Sequence, residues 1–142
     1  MNILMAGANG FIGRKLYDRL VGLGHYVLGL DTFSTSTRND DRNIIEENAK
    51  TVHHKDFDLI DWVINLAGIP FPKKYKTIPN VTFEESYLVN KALMDVALAK
   101  NAKYLLASSS EIYGDLINAK ETDIGATPTM SLRSAYVEGK RL

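Results

Sequence analysis

The opening of the chain carries the pattern that most restricts its fold. A short apolar run at Asn2–Ala6 leads directly into the glycine-rich segment Gly7-Ala8-Asn9-Gly10-Phe11-Ile12-Gly13. Apolar residues then recur at helical spacing as far as Leu23, and a second apolar run follows and ends on Asp31. The succession of strand, glycine-rich turn, amphipathic helix and strand predicts a βαβ unit.

Each glycine of this turn has a predicted mechanical role. Gly7 allows the tight turn out of the strand, and Gly10 lets a diphosphate approach the backbone because no Cβ stands in the way. Gly13 lets the helix pack closely on the sheet. The unpaired N–H groups and roughly half a positive charge at the start of the helix then bind an anion. We therefore predict that this turn, including Phe11 and Ile12, binds the diphosphate of a dinucleotide.

The acid at the end of the second apolar run predicts which dinucleotide binds. Asp31 lies eighteen positions after Gly13, where a dinucleotide site requires an acid. A carboxylate there accepts hydrogen bonds from an adenosine ribose and repels a 2′-phosphate, so NAD is favoured over NADP. The alternative is a glycine-rich turn followed by a surface aspartate, but the ordered succession of elements favours the NAD site.

Length and composition narrow the class of protein. With 142 residues, 45% of them hydrophobic, we predict a single NAD-binding domain over residues 1–142. The 17 basic and 17 acidic residues balance, so there is no electrostatic reason to expect nucleic acid or a membrane as partner. The chain has no cysteine, which removes disulfides and thiolate chemistry. A strand that begins at residue 2 leaves no room for a signal peptide, and we expect a cytoplasmic protein.

The segment after Asp31 is polar and predicts an exposed loop, with room for one short helix, from Thr32 to Asn48. This loop either folds over an adenosine or is a solvated linker. A short third strand is predicted at residues 50–54, which makes Asp56, at its end, a candidate contact of the adenine. His53 and His54 would point to opposite faces of such a strand, so we predict no metal site.

The fourth strand, at residues 61–68, is almost continuously apolar, as expected when both faces of a sheet are covered. It should lie beside the first strand. Ligands of doubly wound sheets bind outside the carboxyl ends of the strands, so Leu66, Ala67 and Gly68 should border the cofactor. Residues 69–79 contain three prolines and predict an irregular, rigid loop.

The remaining elements complete a doubly wound α/β sheet. A long helix is predicted from about Thr82 to Lys100, with apolar residues spread so widely that it is either deeply buried or in contact with a partner. A fifth strand follows at residues 103–107. We therefore predict a Rossmann-like parallel sheet of about five strands in the order 3-2-1-4-5, with the chain ending within a last helix.

Two groups of polar residues are candidates for catalytic residues. Ser109, Ser110 and Glu111 follow the fifth strand, although a serine-rich turn alone would explain them. Tyr136 and Lys140 are four residues apart and share a helix face, a spacing that is also common by chance. A lysine ammonium beside a phenol lowers the pKa of the phenol, which suits a general base for a sugar hydroxyl.

Taken together, these motifs resemble the extended short-chain dehydrogenase/reductase family of NAD-dependent sugar-nucleotide epimerases, dehydratases and decarboxylases. The resemblance covers the whole chain. Ser109-Ser110-Glu111 is similar to the Thr-Ser-Glu of the UDP-glucuronate decarboxylases, which form UDP-xylose, and differs from the Thr-Asp-Glu of dehydratases. The surroundings agree with this branch of the family: residues 105–115, the spacing of Pro72, Tyr75 and Pro79, and residues 133–141.

The resemblance implies a mechanism on UDP-glucuronate. Tyr136 takes the proton from the sugar 4-hydroxyl while hydride passes to NAD, Lys140 lowers the pKa of Tyr136 and holds the ribose, and Ser109 hydrogen-bonds the reacting oxygen. The 4-keto acid then loses carbon dioxide with assistance from Ser110 and Glu111, and the ketone is reduced.

The family also implies a larger protein. Its members continue past the Tyr-Lys helix into a lobe that binds the nucleotide and sugar, whereas this sequence ends two residues after Lys140. We therefore expect the fold and part of the NAD site to be present. Two functions stay open: a decarboxylase, or a sibling epimerase or dehydratase, and a truncated or non-catalytic dinucleotide-binding module. The resemblance further implies a homodimer through the helices near 82–100 and 133–142.

Overall fold

The computed structural model describes residues 1–35, 37–38 and 41–141. Ser36, Asn39 and Asp40 of the predicted exposed loop lie outside the described residues, as does Leu142. The strands are β1 Asn2–Ala6, β2 Tyr26–Asp31, β3 Ile44–Glu46, β4 Trp62–Asn65 and β5 Lys103–Leu106. The helices are α1 Gly13–Gly22, α2 Pro72–Thr77, α3 Pro79–Ala99 and α4 Ser134–Arg141, and short 3-10 turns lie at His54–Asp56 and Ser110–Tyr113.

The five strands form one parallel sheet in the order β3-β2-β1-β4-β5. In the centre, Ile3 of β1 lies opposite Val27 of β2 on one side and Trp62 of β4 on the other. The predicted fold class and strand order are thereby confirmed. Because all the strands run the same way, their carboxyl ends lie at one edge of the sheet, where a doubly wound fold binds its ligand.

The chain divides into two compact units, the first being Met1–Ala67 with Leu88–Ala107 and the second being Gly68–Tyr87 with Ser108–Leu142. The first unit contains the sheet, and residues of β1 alternate between its two faces. One face packs with α1, through Ile3, Met5, Tyr17 and Val27. The other packs with α3, through Leu4, Ala6, Leu93 and Val96. Coverage of both faces explains why the central strands are almost entirely apolar.

The predicted third strand at residues 50–54 is wrong. The strand that pairs with β2 is β3, Ile44–Glu46, inside the segment predicted as an exposed loop. Only Ile44 of its three residues is buried, so the strand has too little apolar pattern to be recognised. Gly29 of β2 has no side chain where Ile44 packs, and this space lets the short edge strand form.

The prediction that residues 69–79 are irregular is also wrong for part of that segment. Pro72 begins α2, and Pro79 begins α3 directly after Ile78, the C-cap of α2. The first position of a helix tolerates proline because its N–H would have no partner within the helix. Two of the three prolines therefore start helices instead of preventing them.

The second unit is built from α2, the first part of α3, the turn at Ser110–Tyr113 and α4. Its most deeply buried side chains are Thr82, Tyr75 and Val137, which are 0%, 1% and 3% exposed. A Cβ on Gly139 would lie 2.8 Å from the Cβ of Ser86, so α4 approaches α3 closely at this point. None of the helices in the described part of the chain combines the length and apolar composition that a bilayer-spanning segment needs.

Candidate functional site

The glycine turn after β1 lies against the end of β4. Gly7 has a φ of +74°, which disfavours any residue with a side chain. A Cβ there would also lie 2.8 Å from the carbonyl carbon of Leu66 and 2.9 Å from the amide nitrogen of Ala67. The structure therefore brings together three residues that the sequence predicts at the cofactor site, all within the first unit.

Gly13 and Gly10 of the same turn have different surroundings. A Cβ on Gly13 would overlap the carbonyl oxygen of Gly7 and lie 2.9 Å from the carbonyl carbon of Ala8, so α1 begins in close contact with the turn. Around Gly10, the Gly7 carbonyl oxygen is the one atom of the described residues beyond its chain neighbours that lies within 4 Å of such a Cβ, at 3.2 Å. The backbone at Gly10 is therefore open to a ligand.

The start of α1 suits an anion. Its N-cap is Ile12, which makes no capping hydrogen bond through its side chain, and the first turn contains no acidic residue. Phe11 and Ile12 are 75% and 62% exposed. The guanidinium of Arg14 and the ammonium of Lys15 lie 6.0 Å and 5.6 Å from the centre of the Phe11 ring. The positive end of the α1 dipole and the nearby cations suit an anion such as the diphosphate of NAD.

Two backbone amides fix the carboxylate of Asp31 at the carboxyl end of β2. Its Oδ2 accepts a hydrogen bond from the Asn9 N–H at 2.8 Å, and its Oδ1 accepts one from the Phe33 N–H at 2.9 Å. Each carboxylate oxygen keeps a further lone pair that can accept from a ribose hydroxyl. Asn9 also donates from Nδ2 to the carbonyl of Thr37 at 2.8 Å. Sequence reasoning missed Asn9, whose signal is an asparagine within a glycine-rich turn.

A buried hydrogen-bonded network holds the residues after β4. The Ala67 N–H donates to Oδ1 of Asn65 at 3.1 Å, and Asn65 donates from Nδ2 to the Tyr104 hydroxyl at 3.1 Å. That hydroxyl donates in turn to Oδ1 of Asn90. Burial raises the pKa of Tyr104, which keeps the phenol neutral and able to donate. These side chains, which the sequence did not single out, orient the backbone that borders the glycine turn.

Asp56 is placed differently from its prediction, because the strand expected before it is absent from that position. Its Oδ2 accepts from the His53 N–H at 2.7 Å and caps the 3-10 turn. The third strand ends at Glu46, and the N–H of Glu47 still donates to the carbonyl of Asp31 at 3.1 Å. Asn48 therefore follows the carboxyl end of β3, in the position that the prediction gave to Asp56.

The reason given against a metal at the histidine pair is also wrong. His53 and His54 do not point to opposite faces of a strand, and the centres of their rings are 4.1 Å apart. The pKa of His54 is lowered, first by desolvation and then by the charges of His53, Lys100 and Lys55. Within the described ranges, no three histidine, cysteine or acidic residues form a group that could hold a metal ion.

In the second unit, the serine-rich segment forms a turn on which α4 packs. Ser109 caps the 3-10 turn, and its Oγ accepts from the Glu111 N–H at 3.3 Å. Glu111 forms an ion pair with Arg133 at 3.3 Å, immediately before α4. Tyr136, on α4, is 9% exposed. The predicted hydroxyl, carboxylate and phenol groups are thus carried by two elements that are in contact.

Arg141 joins three segments of this unit. Its Nη2 donates at 2.5 Å to the carbonyl of Ile112 and at 2.5 Å to the carbonyl of Gly125. Its Nη1 forms an ion pair with Glu138 at 2.7 Å. Arg141 thereby fixes α4 to the turn that carries Glu111. An arginine at the end of a helix gives no sequence signal for such a role.

Lys140 lies beside Gly68. Its Nζ is 3.5 Å from the position that a Cβ on Gly68 would occupy, so the ammonium lies close to the Gly68 backbone. Burial lowers the pKa of Lys140. The structure therefore brings together two more of the predicted site residues, one from the segment after β4 and one from α4.

A sheet of five parallel strands in the order 3-2-1-4-5, with a glycine-rich turn after the first strand, defines a Rossmann-like nucleotide-binding fold. The model of the NAD dependent epimerase/dehydratase family matches residues 3–142, and the chain belongs to this family. The family description names NAD, which confirms the cofactor predicted from Asp31.

The relatives of the chain are sugar-nucleotide enzymes by name. UDP-glucuronic acid decarboxylase 1 of Danio rerio is 32% identical over 147 residues, which are 99% of this chain and 35% of the relative. UDP-glucuronic acid decarboxylase 1 of Arabidopsis thaliana is 30% identical over 148 residues, 99% of this chain and 34% of the relative. The crystal structure of a UDP-galactose 4-epimerase is 28% identical with a TM-score of 0.82, over 99% of this chain and 48% of the epimerase. The chain thus spans about a third of the length of these curated relatives.

Proposed function

We propose that this chain is the cofactor-binding and proton-transfer part of an NAD-dependent UDP-glucuronate decarboxylase. The observation that carries the proposal is the packing of α4, with Tyr136 and Lys140, on the turn that contains Ser110 and Glu111. Identities of 30% and 32% to proteins named UDP-glucuronic acid decarboxylase support this choice of reaction.

In the first unit, the glycine turn would hold NAD. Gly7, Gly10, Phe11, Ile12 and Gly13 are proposed to surround the diphosphate, because the backbone at Gly10 is open and the start of α1 attracts anions. Asp31 would accept from the adenosine ribose. Leu66 and Ala67 would border the cofactor, and Asn48 joins Asp56 as a candidate for contact with the adenine.

In the second unit, Tyr136 and Lys140 would carry the proton transfer. Bound NAD supplies the hydride acceptor and, later, the hydride donor. Tyr136 would accept the proton of the sugar 4-hydroxyl, and the Lys140 ammonium would favour the phenolate form that accepts it. Ser109 would donate a hydrogen bond to the reacting oxygen, and Gly68, which lies close to the Lys140 ammonium, would border the cofactor.

Ser110 and Glu111 would assist the loss of carbon dioxide. In a 4-keto sugar acid, the carbonyl accepts the electron pair of the bond that breaks, and carbon dioxide leaves. Glu111 already forms an ion pair with Arg133, which fixes its carboxylate in one position. A fixed charge of this kind needs no reorganisation during the reaction.

The test is to incubate the purified chain with NAD and UDP-glucuronate and to measure carbon dioxide and UDP-xylose. Formation of both supports the proposal. Binding of NAD without release of carbon dioxide would instead identify a dinucleotide-binding module, and a 4-epimer would identify an epimerase. Titration with NADP provides a separate check, since tighter binding of NADP than of NAD would overturn the role given to Asp31.

A further inference from the structure

A cavity of about 420 Å³ lies within the first unit, between α3 and the segment that follows β3. Cavities that bind small molecules start at about 300 Å³, so this one has room for a molecule the size of a mononucleotide. Among the described residues, neither those of the glycine turn nor Asp31 line it. It is therefore separate from the candidate NAD site, and we call it the α3 cavity.

Three apolar side chains form part of the wall of the α3 cavity. Leu88 and Ala92 are four residues apart on α3 and share a helix face, and Val52 lines the cavity from the segment after β3. All three are partly exposed. A ligand with an uncharged body would remove this apolar surface from water, which favours binding. A bare inorganic ion would leave most of the wall uncovered.

The charged side chains of the lining favour an anion. Lys50 and Lys91 are cations, and Asp95 is the one acid among the described lining residues. Lys91 and Asp95 form an ion pair at 2.6 Å, so their charges compensate. Two lysines against one aspartate leave one net positive charge when the histidines are neutral. A cavity lined by an excess of one sign of charge attracts ligands of the opposite sign.

His53 and His54 add two aromatic rings to the lining. The ring centres are 4.1 Å apart and the planes are inclined by 37°. The pKa of His54 is lowered by desolvation and then by the charges of His53, Lys100 and Lys55, while Asp56 acts in the opposite direction. The surroundings of His54 are therefore electropositive. Its neutral imidazole offers a flat surface on which an aromatic ring can stack.

We propose that the α3 cavity binds a phosphate ester that carries an aromatic ring, a ligand of the size of a nucleoside monophosphate. Lys50 and Lys91 would hold the phosphate, and the rings of His53 and His54 would stack on the aromatic ring. The apolar wall would cover the rest of the ligand. This site goes beyond the proposed function and does not depend on it, because none of its lining residues takes part in the proposed reaction.

The experiment is a calorimetric titration of the chain with AMP in the presence of saturating NAD, which fills the site at the glycine turn. Adenosine and inorganic phosphate, titrated in the same way, separate the contributions of the ring and of the charge. We expect the Kd for AMP to be at least about tenfold lower than that for either of them, because the ring and the charge both contribute.

Lys50→Gln and Lys103→Gln form a matched pair of variants. Both remove one ammonium from the first unit, but Lys103, on β5, lies over the Trp62 ring and is not a lining residue. We expect Lys50→Gln to raise the Kd for AMP about tenfold, the usual effect of losing one charge-assisted hydrogen bond. Lys103→Gln should leave this Kd unaltered.

Histidine ring signals in NMR spectra provide a second measurement, which needs no variant. The chain has three histidines, and His25, just before β2, is not a lining residue. We expect AMP to shift the ring signals of His53 and His54 and to leave that of His25 in place. The pKa of His54 should rise, because the bound phosphate adds a negative charge near the imidazole.

Three results would overturn the inference. In the first, AMP fails to bind once NAD is saturating. In the second, AMP binds, but neither Lys50→Gln nor the ring signals of His53 and His54 respond. In the third, adenosine or inorganic phosphate binds as tightly as AMP, which would exclude a site that recognises both a ring and a charge. The proposed decarboxylase function is unaffected by any of these results.

Discussion

At the scale of single residues, Gly13 and Gly22 test the packing of the glycine turn. A methyl group on Gly13 would overlap the Gly7 carbonyl oxygen, whereas one on Gly22 would have no atom of the described residues outside the α1 backbone and its chain neighbours within 4 Å. We predict that Gly13→Ala lowers the free energy of unfolding by about 2–3 kcal/mol. Gly22→Ala, in the same helix, should raise it by about 0.5–1 kcal/mol. Urea unfolding measures both, and equal stability of the two variants would contradict the described turn.

Gly10 tests ligand binding separately from stability. Among the described residues, a Cβ at this position meets only the Gly7 carbonyl oxygen, at a close 3.2 Å, so we expect a small local shift to accommodate alanine. The same methyl group would stand where the diphosphate is proposed to approach. We predict that Gly10→Ala weakens NAD binding at least about tenfold, or roughly 1.4 kcal/mol, with little change in Tm. Calorimetric titration with NAD is the measurement, and Gly22→Ala is the control.

Tyr136 tests the proposed chemistry. Tyr136→Phe keeps the ring that stacks on Tyr75 and removes the group proposed to accept the proton. We predict that decarboxylation slows by about 10²- to 10⁴-fold, the usual contribution of a general base. Tyr26→Phe, a change at a tyrosine that is 59% exposed, should leave the rate unaltered. Undiminished release of carbon dioxide from the Tyr136 variant would exclude the assignment.

Some residues of the candidate site could be predicted from the sequence, and others could not. The glycine turn and Asp31 could be recognised because their spacing along the chain is fixed by one βαβ unit. Asn9, Asn65 and Arg141 could not, because each of them has a partner between 16 and 39 residues away. A hydrogen bond between distant segments leaves no periodic pattern in the sequence.

At the scale of helices and strands, the elements with strong apolar patterns were predicted and the weak ones were missed. β1, β2, β4, β5, α1 and most of α3 lie where the sequence predicts them. β3 and α2 do not, because β3 has one buried residue and α2 begins with a proline in a proline-rich segment. Because the third strand was predicted at residues 50–54, Asp56 was predicted to contact the adenine.

The ion pair between Asp18 and Arg42 links α1 to the segment before β3, and its contribution to stability can be tested. Arg42 donates to both carboxylate oxygens, at 2.8 Å each, and these hydrogen bonds are the main reason why the pKa of Asp18 is lowered. A carboxyl group whose pKa is lower in the folded state stabilises the fold above its unfolded pKa. This stabilisation is lost as the pH falls through the folded pKa.

We therefore predict that Asp18→Asn destabilises the chain at pH 7 by about 0.5 kcal/mol, a small value because the Asp18 side chain is 57% exposed. The difference between variant and parent should shrink as the pH falls through the lowered pKa of Asp18. Urea unfolding at pH 7 and at a series of acidic pH values measures it. Asp58→Asn, at another exposed carboxylate, is the control, and an equal effect of both changes would argue against the pair.

At the scale of the whole molecule, exposed apolar and aromatic residues on α3 favour association of the chain with a second copy. Leu98, at 76% exposed, and Tyr87, at 45% exposed, are apolar or aromatic residues on this helix. We propose a homodimer through α3 and α4, and we predict about twice the monomer mass in light scattering at micromolar concentration. Leu98→Glu should shift the equilibrium toward monomer. Leu59→Glu, at an equally exposed leucine outside the helices, should not. A monomeric parent chain would contradict the proposal.

The hydrogen bonds of Arg141 to two other segments of the second unit affect how α4 unfolds locally. One guanidinium at the end of α4 donates to the carbonyls of Ile112 and Gly125, so an opening of α4 at this end breaks its hydrogen bonds to both segments. Amide hydrogens in α4 and in the turn before Gly114 should then exchange with solvent as one cooperative group. Tyr136 and Glu111 would then lose their arrangement in a single event.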